Sequence, residues 1–265
     1  MYGEVVTTER LTPQLVRVVL GGPGLEGLAA PAATDAYVNA FFLPEGAPYS
    51  VPFADDAVRE LPRDQRPYPR RYTVRDWDEA HQQLTLDFVV HGDVGLAGRW
   101  ATHAQPGDRL QFRGPAGDWG PDPDADWYLL VGDESALPAI AATAEAVPAG
   151  KPVVAVVEVE DSDGEIALTS PGDLETVWLH RSEGQDGDLL LEAVRALPLP
   201  SGRACAFVHG EAVATRAVRA HLLREGVVHR DDLSASPYWR RPMTDEEWRS
   251  IKAAWQREVE QDVPA

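Results

Sequence analysis

The stretch WYLLVGDESALPAIAATAEAV, residues 127–147, joins a continuous apolar run to a helical stretch. A strand that is apolar on both faces indicates a sheet that is covered on both sides. Similar apolar strands follow downstream, two of them with helical stretches behind them: VVAVVEV, TVWLHR before DLLLEAVRAL, and ACAFVHG before EAVATRAVRAHLLREG. Apolar strands that alternate with helices predict an α/β domain around a parallel sheet.

The first half of the chain has a different pattern. From the N-terminus to about residue 118, short alternating segments are separated by Gly, Pro and Asp turns: EVVTTERL, LVRVVLG, AYVNAFFL, RRYTVRDWD, QLTLDFVVHG and DRLQFRG. Such segments are typical of antiparallel strands and predict a β-barrel or a sandwich. The predicted fold class is therefore an antiparallel β domain followed by an α/β domain with a parallel sheet.

The segment GPAGDWGPDPDAD, residues 114–126, is rich in Gly, Pro and Asp and marks the expected domain boundary. We predict a β domain over residues 1–118, an α/β domain over residues 124–235, and a tail over residues 236–265.

The tail should contain a helix. Thr244 and Glu247 have the spacing of a capping box, in which each residue bonds the backbone N–H of the other. The apolar residues that follow fall on one helical face and predict docking on the body of the protein: Trp248, Ile251, Trp255 and Val259.

Composition excludes several classes of function. The net charge of −19 argues against nucleic acid as a partner, because phosphates require basic faces. The single cysteine, Cys205, excludes an intramolecular disulfide, a protein-held iron–sulfur cluster and a Cys-x-x-Cys zinc site, so redox chemistry would need an organic cofactor. Without a run of roughly 20 apolar residues or a secretory signal pattern, we expect a cytoplasmic protein that does not insert into membranes.

Two local features point to an anionic ligand. Arginines gather in a short stretch that contains one acidic residue, Asp64: Arg63, Arg66, Arg70, Arg71 and Arg75. Arginine forks suit phosphate and tyrosine rings suit stacking, although a solvated strand is the plainer alternative. Further on, Gly92, Gly95 and Gly98 precede a possible helix near Arg99, where backbone N–H groups can approach a diphosphate.

The order of the motifs carries a resemblance. The strand RRYTVR, then DFVVHGDVGLAGRWA, PGDRLQFRGPAG, YLLVGDESALPAIAA and finally YWRR resemble the siderophore-interacting protein family, flavin-dependent ferric-siderophore reductases within the group that resembles ferredoxin reductase. The resemblance extends from about residue 5 to about residue 258. It implies an N-terminal barrel that holds FAD and an α/β domain that receives NADH or NADPH.

The resemblance also implies roles for residues in the first half. Arg70 would contact the FAD diphosphate, Tyr72 would stack on the isoalloxazine and Thr73 would lie near the flavin N5 atom. Further residues would line the flavin ring, mostly through backbone atoms: Asp87, Val90 and His91. The diphosphate loop would comprise Gly95, Leu96, Ala97, Gly98 and Trp100.

In the second half, the resemblance implies a turn close to the nicotinamide or the flavin edge, formed by Gly132, Asp133, Glu134 and Ser135. A plainer alternative is that Asp133 and Glu134 only cap the following helix. The resemblance also implies a terminal aromatic segment that folds back toward the flavin domain: Tyr238, Trp239 and Arg240.

The function expected from the resemblance is FAD-dependent reduction of ferric siderophores. Tyr72, Thr73 and His91 are flavin-edge candidates, and we expect neither a general acid or base nor a protein-bound metal. Two alternatives stay open: a flavin reductase or electron-transfer oxidoreductase with another acceptor, and a siderophore-binding module without enzymatic activity. A flavin spectrum that the ferric chelate restores after reduction would separate them.

The electron donor stays open between NADH, NADPH and reduced ferredoxin. Glu158 and Glu160 would favour a ribose hydroxyl, whereas Arg181 could pair with a 2′-phosphate. The substrate would be a ferric siderophore, with Arg63 and Arg66 at a candidate substrate rim. Nothing in the sequence suggests a large exposed apolar patch, so we expect a monomer.

Overall fold

The computed structural model describes residues 1–90, 92, 95–183 and 188–263. The chain divides into two compact units, Met1–Gly120 and Pro121–Ala265. None of the described helices combines the length and the apolar composition that a membrane span needs.

The first unit is a closed antiparallel barrel, as the alternating segments predict. Within the described residues the barrel has six strands: β1 (Tyr2–Thr12), β2 (Leu15–Gly21), β3 (Tyr37–Phe42), β4 (Tyr68–Asp78), β5 (Gln83–Val89) and β6 (Arg109–Ala116). They pair in the order β1-β2-β5-β4-β3-β6, and β6 returns to β1. The unit also contains the helices α1 (Asp55–Arg59) and α2 (Leu96–His103).

Alternation along β5 shows how the sequence fills this barrel. Leu84, Leu86 and Phe88 are each fully buried, as every second residue of a barrel strand should be. Leu86 lies opposite the buried Val18 of β2. The barrel therefore has a continuous apolar interior that fixes which residues of β4 point away from it.

The second unit is a parallel sheet with helices, as the apolar runs predict. Its strands in the described part of the chain are β7 (Trp127–Asp133), β8 (Pro152–Val159), β9 (Asp173–His180), β10 (Ala204–Glu211) and β11 (Leu233–Trp239). Its helices are α3 (Leu137–Ala146), α4 (Leu189–Ala196), α5 (Ala212–Arg224) and α6 (Asp245–Gln261). The central strand β7 is buried at every residue because the sheet is covered on both faces.

In the strand order β11-β10-β7-β8-β9, all strands are parallel, but the direction in which the chain adds strands to the sheet reverses between β7 and β10. From β7 the chain adds β8 and β9 on one side and then β10 and β11 on the other. In open α/β sheets, ligands bind outside the carboxyl ends of the strands at such a reversal. Asp133 and Glu211 end the two strands that flank it.

Helix α6 confirms the predicted tail. Thr244 and Glu247 form both hydrogen bonds of the capping box. Trp248, Trp255 and Val259 are buried, with the two indoles 5.4 Å apart edge to face. The cap and the apolar face together fix this helix on the second unit.

His209 is a buried imidazole in the centre of the second unit. Its ring stacks on Phe207 at 3.8 Å and meets the edge of Tyr238 at 5.1 Å. Its Nε2 atom lies 2.9 Å from Ser234 Oγ, whereas among the described residues its Nδ1 atom has no hydrogen-bond partner. Burial, assisted by the nearby Lys252 charge, lowers the pKa of His209 to about 3, so the ring is neutral in the folded protein.

We expect His209 to weaken the fold in acid. The unfolded ring takes up a proton below about pH 6.5 and the folded ring does not until about pH 3, so stability falls as pH falls through this window. The free energy of unfolding should lose up to about 1.4 kcal/mol per pH unit from this group. His209→Phe should lower the slope of the unfolding free energy against pH by about 1.4 kcal/mol per pH unit, which corresponds to one proton. Urea unfolding at several pH values from 4 to 7 would measure the change.

The exposed His103 supplies a control. His103→Gln should keep the slope of the parent protein over the same pH range. If the unfolding free energies of the parent and of His209→Phe have equal slopes against pH, His209 does not cause the loss of stability in acid.

Candidate functional site

An aromatic cluster in the first unit brings strand β4 and helix α2 to the same place. The half-buried Tyr72 of β4 lies 4.2 Å from the Phe88 ring and 6.0 Å from the Phe42 ring. Trp100 of α2 lies 5.6 Å and 5.8 Å from the same two rings. Phe42 and Phe88 are buried, so they form a rigid support for both Tyr72 and α2.

The start of α2 offers backbone N–H groups. The helix begins at Leu96, three residues before the predicted start near Arg99, and its N-cap residue is Gly95 with a φ of 78°. No described atom lies within 4 Å of the Cβ that a side chain at Gly92 or Gly95 would add. The first N–H groups of a helix have no intrahelical acceptor, and the helix dipole favours an anion there.

The predicted diphosphate loop therefore divides into two kinds of residue. Gly95 keeps the approach open, whereas Ala97 and Gly98 are buried and Leu96 and Trp100 pack on the barrel core. A ligand at this helix start would meet backbone atoms, and the side chains would hold the helix in position.

The arginines around β4 occupy different surroundings. The half-buried Arg70 donates from Nη1 to the carbonyl of Pro69 at 3.0 Å. The exposed Arg71 places its guanidinium 5.1 Å from the centre of the Tyr37 ring. Thr73 is buried. Arg70 and Tyr72 thus combine partial exposure with the chemistry of a phosphate or ring contact, as do Tyr68, Arg75 and Trp77 of the same strand.

The candidate substrate rim is exposed. Arg63 belongs to a single 3-10 turn over Arg63–Gln65, and Arg66 donates from Nε to the carbonyl of Leu61 at 2.8 Å. Both arginines lie in the segment before β4.

Asp87 and Val90 have structural partners. Arg17 of β2 binds the Asp87 carboxylate through two hydrogen bonds of 2.7 and 2.8 Å. The Val90 side chain is buried, and its N–H donates to the carbonyl of Gln14 at 2.8 Å. Both side chains are thus engaged within the barrel. His91 lies outside the described residues.

In the second unit, Asp133 joins three segments at the carboxyl edge of the sheet. Its carboxylate accepts hydrogen bonds from Ser135 N and Oγ at 2.9 and 2.5 Å, from Glu211 N at 2.8 Å and from Trp239 Nε1 at 2.8 Å. Burial raises the pKa of Asp133, while the hydrogen bonds from Ser135 and Trp239 oppose that rise. The donors suit a carboxylate acceptor, so this residue organises the edge.

Two glycines make this arrangement possible. A Cβ on Gly132 would lie 2.5 Å from the carbonyl oxygen of His209, and a Cβ on Gly210 would lie 2.7 Å from Asp133 Oδ2. Gly210 has a φ of 136°, which other residues rarely adopt. The close approach of β7 and β10 therefore depends on glycine at both positions.

Capping of helix α3 by Asp133 and Glu134 explains few of the contacts that these two residues make. Helix α3 begins at Leu137 after Ala136, which has no side-chain cap. Asp133 bonds one amide before that helix but also two groups from other strands. Glu134 is 5% exposed and pairs with Arg181.

Arg181 follows β9 and binds carboxylates from two neighbouring strand ends. Its guanidinium contacts Glu134, Glu158 at 3.2 Å and Glu160 at 3.3 Å. Burial raises the pKa of Glu158, and the Arg181 charge opposes that rise. In the sequence, Glu158 and Glu160 favour a ribose hydroxyl and Arg181 favours a 2′-phosphate. In the structure, these three residues form one network with Glu134.

The terminal aromatic segment lies at the same edge as Asp133. Tyr238 packs on His209, and Trp239 bonds Asp133. Arg240 is half-buried, and the next residue, Arg241, places its guanidinium 5.4 Å from the centre of the Trp239 ring. In the described residues, no three His, Cys, Asp or Glu side chains come together as metal ligands would.

Comparison with known proteins gives a consistent result. A siderophore-interacting FAD-binding domain model matches residues 4–119, and a siderophore-interacting protein model matches residues 125–242. Ferric vibriobactin reductase ViuB of Vibrio cholerae is 33% identical over 248 residues, 92% of this chain and 90% of ViuB. The NADPH-dependent ferric-chelate reductase of Escherichia coli is 34% identical over 182 residues, 68% of this chain and 70% of that protein. A siderophore utilization protein from T. fusca superposes with a TM-score of 0.81 at 38% identity, covering 92% of this chain and 94% of its own.

We expect Arg70 to contribute to FAD affinity. Arg70→Ala should raise the dissociation constant for FAD by about 10- to 100-fold, because a hydrogen bond to a charged group contributes roughly 1.5–3 kcal/mol. Titration of flavin-free protein with FAD, followed by quenching of flavin fluorescence, measures the change. Arg71→Ala is the matched control because this neighbour is exposed and lies over Tyr37, and its affinity should stay at the parent value. Equal affinity for Arg70→Ala and the parent would contradict the assignment.

We expect Ser135 to stabilise the buried Asp133 carboxylate. Ser135→Ala removes the hydroxyl donor at 2.5 Å and should lower the free energy of unfolding by about 1–3 kcal/mol, measured by urea titration. Ser135→Thr keeps the hydroxyl and should restore most of the loss. The exposed Ser182 serves as a control, and Ser182→Ala should change stability by less than about 0.5 kcal/mol. A Ser135→Ala protein as stable as the parent would show that Asp133 does not need this donor.

Proposed function

Because the chain belongs to the siderophore-interacting protein family, we propose that it is an FAD-dependent reductase of ferric siderophores. The observation that carries the proposal is the aromatic cluster of the barrel, where Tyr72 and helix α2 rest on the same two phenylalanines. This cluster brings a partly exposed ring and a glycine-opened helix start to one region of the unit that matches an FAD-binding domain.

The residues of the barrel fit FAD chemically. The N–H groups at the start of α2 would hold the diphosphate, and Arg70 would add a positive charge. Tyr72 would supply a ring face for the isoalloxazine, supported from behind by Phe42 and Phe88. Thr73 would lie beside it in the same strand.

Bound FAD supplies redox chemistry that side chains lack, because flavins accept hydride from nicotinamides and also take part in one-electron reactions. The chain has to hold the cofactor and admit the substrate. Neither task needs a general acid, a general base or a metal ligand from the protein, and we assign none.

The coordination chemistry of iron explains why reduction would release the metal from the siderophore. Hard Fe³⁺ is held by the oxygen ligands of a siderophore, and softer Fe²⁺ is held less tightly. The exposed Arg63 and Arg66 are our candidates for contact with the chelate, which is often anionic. We place the reaction in the cytoplasm, where reduced donors are available.

The second unit would receive the electron donor. Its carboxyl edge at the strand reversal has the position of a nucleotide site in α/β sheets, which supports a nicotinamide donor over reduced ferredoxin. We also propose a monomer, because exposed large apolar side chains in the described chain are limited to Met1, Val6, Val213 and Met243.

The proposal is tested by absorption spectroscopy without oxygen. The FAD-loaded protein is reduced with dithionite to the bleached form, freed of excess reductant, and mixed with a ferric tris-catecholate or a ferric trihydroxamate in the presence of a colorimetric Fe²⁺ chelator. We expect the flavin band to return and trapped Fe²⁺ to appear in a ratio of about two per flavin, since reduced flavin carries two electrons.

Each other result has a definite meaning. Reduced protein that stays bleached with both chelates but recovers with another acceptor would contradict siderophore reduction. Protein that binds no FAD would contradict the flavin assignment. The same chelates mixed with flavin-free protein should yield no trapped Fe²⁺.

A further inference from the structure

We propose that this chain selects NADH over NADPH, because Arg181 is held by three carboxylates and cannot receive the 2′-phosphate. This inference rests on the proposed function and concerns only the identity of the electron donor. The carboxyl edge of the parallel sheet carries the argument.

Arg181 has no N–H left to offer within the part of the chain that the structure describes. A guanidinium carries five N–H donors, and Arg181 makes five hydrogen bonds. Nη1 donates to Glu134 at 3.0 Å and to Glu158 at 3.2 Å, and Nη2 donates to Glu134 and to Glu160 at 3.3 Å. Nε donates to Glu160 at 3.4 Å.

Burial makes this network hard to open. The side chains of Arg181, Glu134 and Glu158 are 18%, 7% and 13% exposed, whereas Glu160 is 48% exposed. Pulling Arg181 away would leave Glu134 and Glu158 as poorly solvated carboxylates without their partner, which is costly. The accessible group of the network is therefore an acid, Glu160.

The position of these acids matches a ribose site. Glu158 is the last residue of β8 that pairs with β7, opposite Asp133, and Glu160 is the first residue after the strand. In dinucleotide-binding sheets, an acid after the second strand accepts a hydrogen bond from the ribose 2′-hydroxyl, whereas an arginine there accommodates a 2′-phosphate. Glu160 can accept from a hydroxyl, and it repels a phosphate.

The balance of charge points the same way. Three carboxylates surround one guanidinium, so the network carries excess negative charge that acts on a 2′-phosphate at short range. Arg241 is a cation close enough for its charge to act on Glu158. Its guanidinium lies over the Trp239 ring, at the end of β11 on the opposite side of β7 from β8 and β9.

The Escherichia coli relative is named as NADPH-dependent. At 34% identity over 182 residues, the donor of that protein does not fix the donor of this chain. The donor preference of this chain therefore depends on its own side chains.

The test measures flavin reduction by NADH and by NADPH in an anaerobic stopped-flow instrument at low salt, with FAD-loaded protein. We expect the second-order rate constant with NADH to exceed that with NADPH by about tenfold or more. An equal or larger rate constant with NADPH, or no reduction by either nucleotide, would overturn the inference.

A paired set of variants tests the mechanism. Glu158→Gln with Glu160→Gln removes two charges but keeps amide oxygens that still accept from Arg181, and it should raise the NADPH rate constant relative to NADH by about tenfold. The control, Glu175→Gln with Glu225→Gln, removes the same charge at exposed positions near the start of β9 and at the end of α5, and it should leave the ratio unchanged. An equal change of the NADPH-to-NADH ratio in both double variants would show that only the overall charge of the protein matters. That result would contradict the role of Glu158 and Glu160.

Glu160→Gln alone keeps the test valid if the double variant folds poorly, because Glu160 is the most exposed member of the network. It should shift the ratio in the same direction, by a smaller factor, and an unchanged ratio in a folded protein would contradict the role of Glu160. The dithionite experiment on ferric chelates needs no nicotinamide, so failure of the donor inference is distinguishable from failure of the reductase proposal.

Discussion

The hydrogen bonds to the buried Asp133 carboxylate are the interaction on which the edge of the parallel sheet depends. A polar group in such a place is stable only when hydrogen-bond partners surround it, and here the donors come from the turn after β7 and from the ends of β10 and β11. The next residue, Glu134, binds Arg181 after β9. Two consecutive acids at the end of the central strand thus connect it to both sides of the sheet and hold the carboxyl edge of the sheet together.

The candidate ligand site of the barrel has a different requirement. It needs a flat ring surface, at Tyr72, next to a positive charge, at Arg70. Phe42 and Phe88 fill the interior and at the same time support Tyr72 and Trp100. Core packing and the candidate ligand surface therefore share the same residues. The ion pair between Arg17 and Asp87 has a complementary role, since it fixes the register of β2 and β5 behind this support.

The two kinds of strand and the tail helix could be predicted from the sequence because alternation, continuous apolar runs and the Thr244–Glu247 cap are local signals. The capping box and the buried tryptophans of α6 are confirmed. The sequence predicts the start of α2 near Arg99, whereas the helix begins at Leu96. The difference arises because Gly98 resembles a loop residue in the sequence although it packs inside the helix against Val90. The bond between Asp133 and Trp239 joins residues 106 positions apart and leaves no local signal. The same holds for Arg181, whose partners decide its role and come from two other strand ends.

The strand order has a consequence for the behaviour of the protein at high concentration. In the described part of the chain the barrel is closed, so exposed strand edges belong to the parallel sheet, at β9 and β11. An open edge invites pairing with another chain, which is a route to aggregation. Strand β11 contains Pro237, which has no N–H to donate, and β9 carries exposed carboxylates at Asp173 and Glu175. Both edge strands therefore carry features that oppose the addition of a foreign strand.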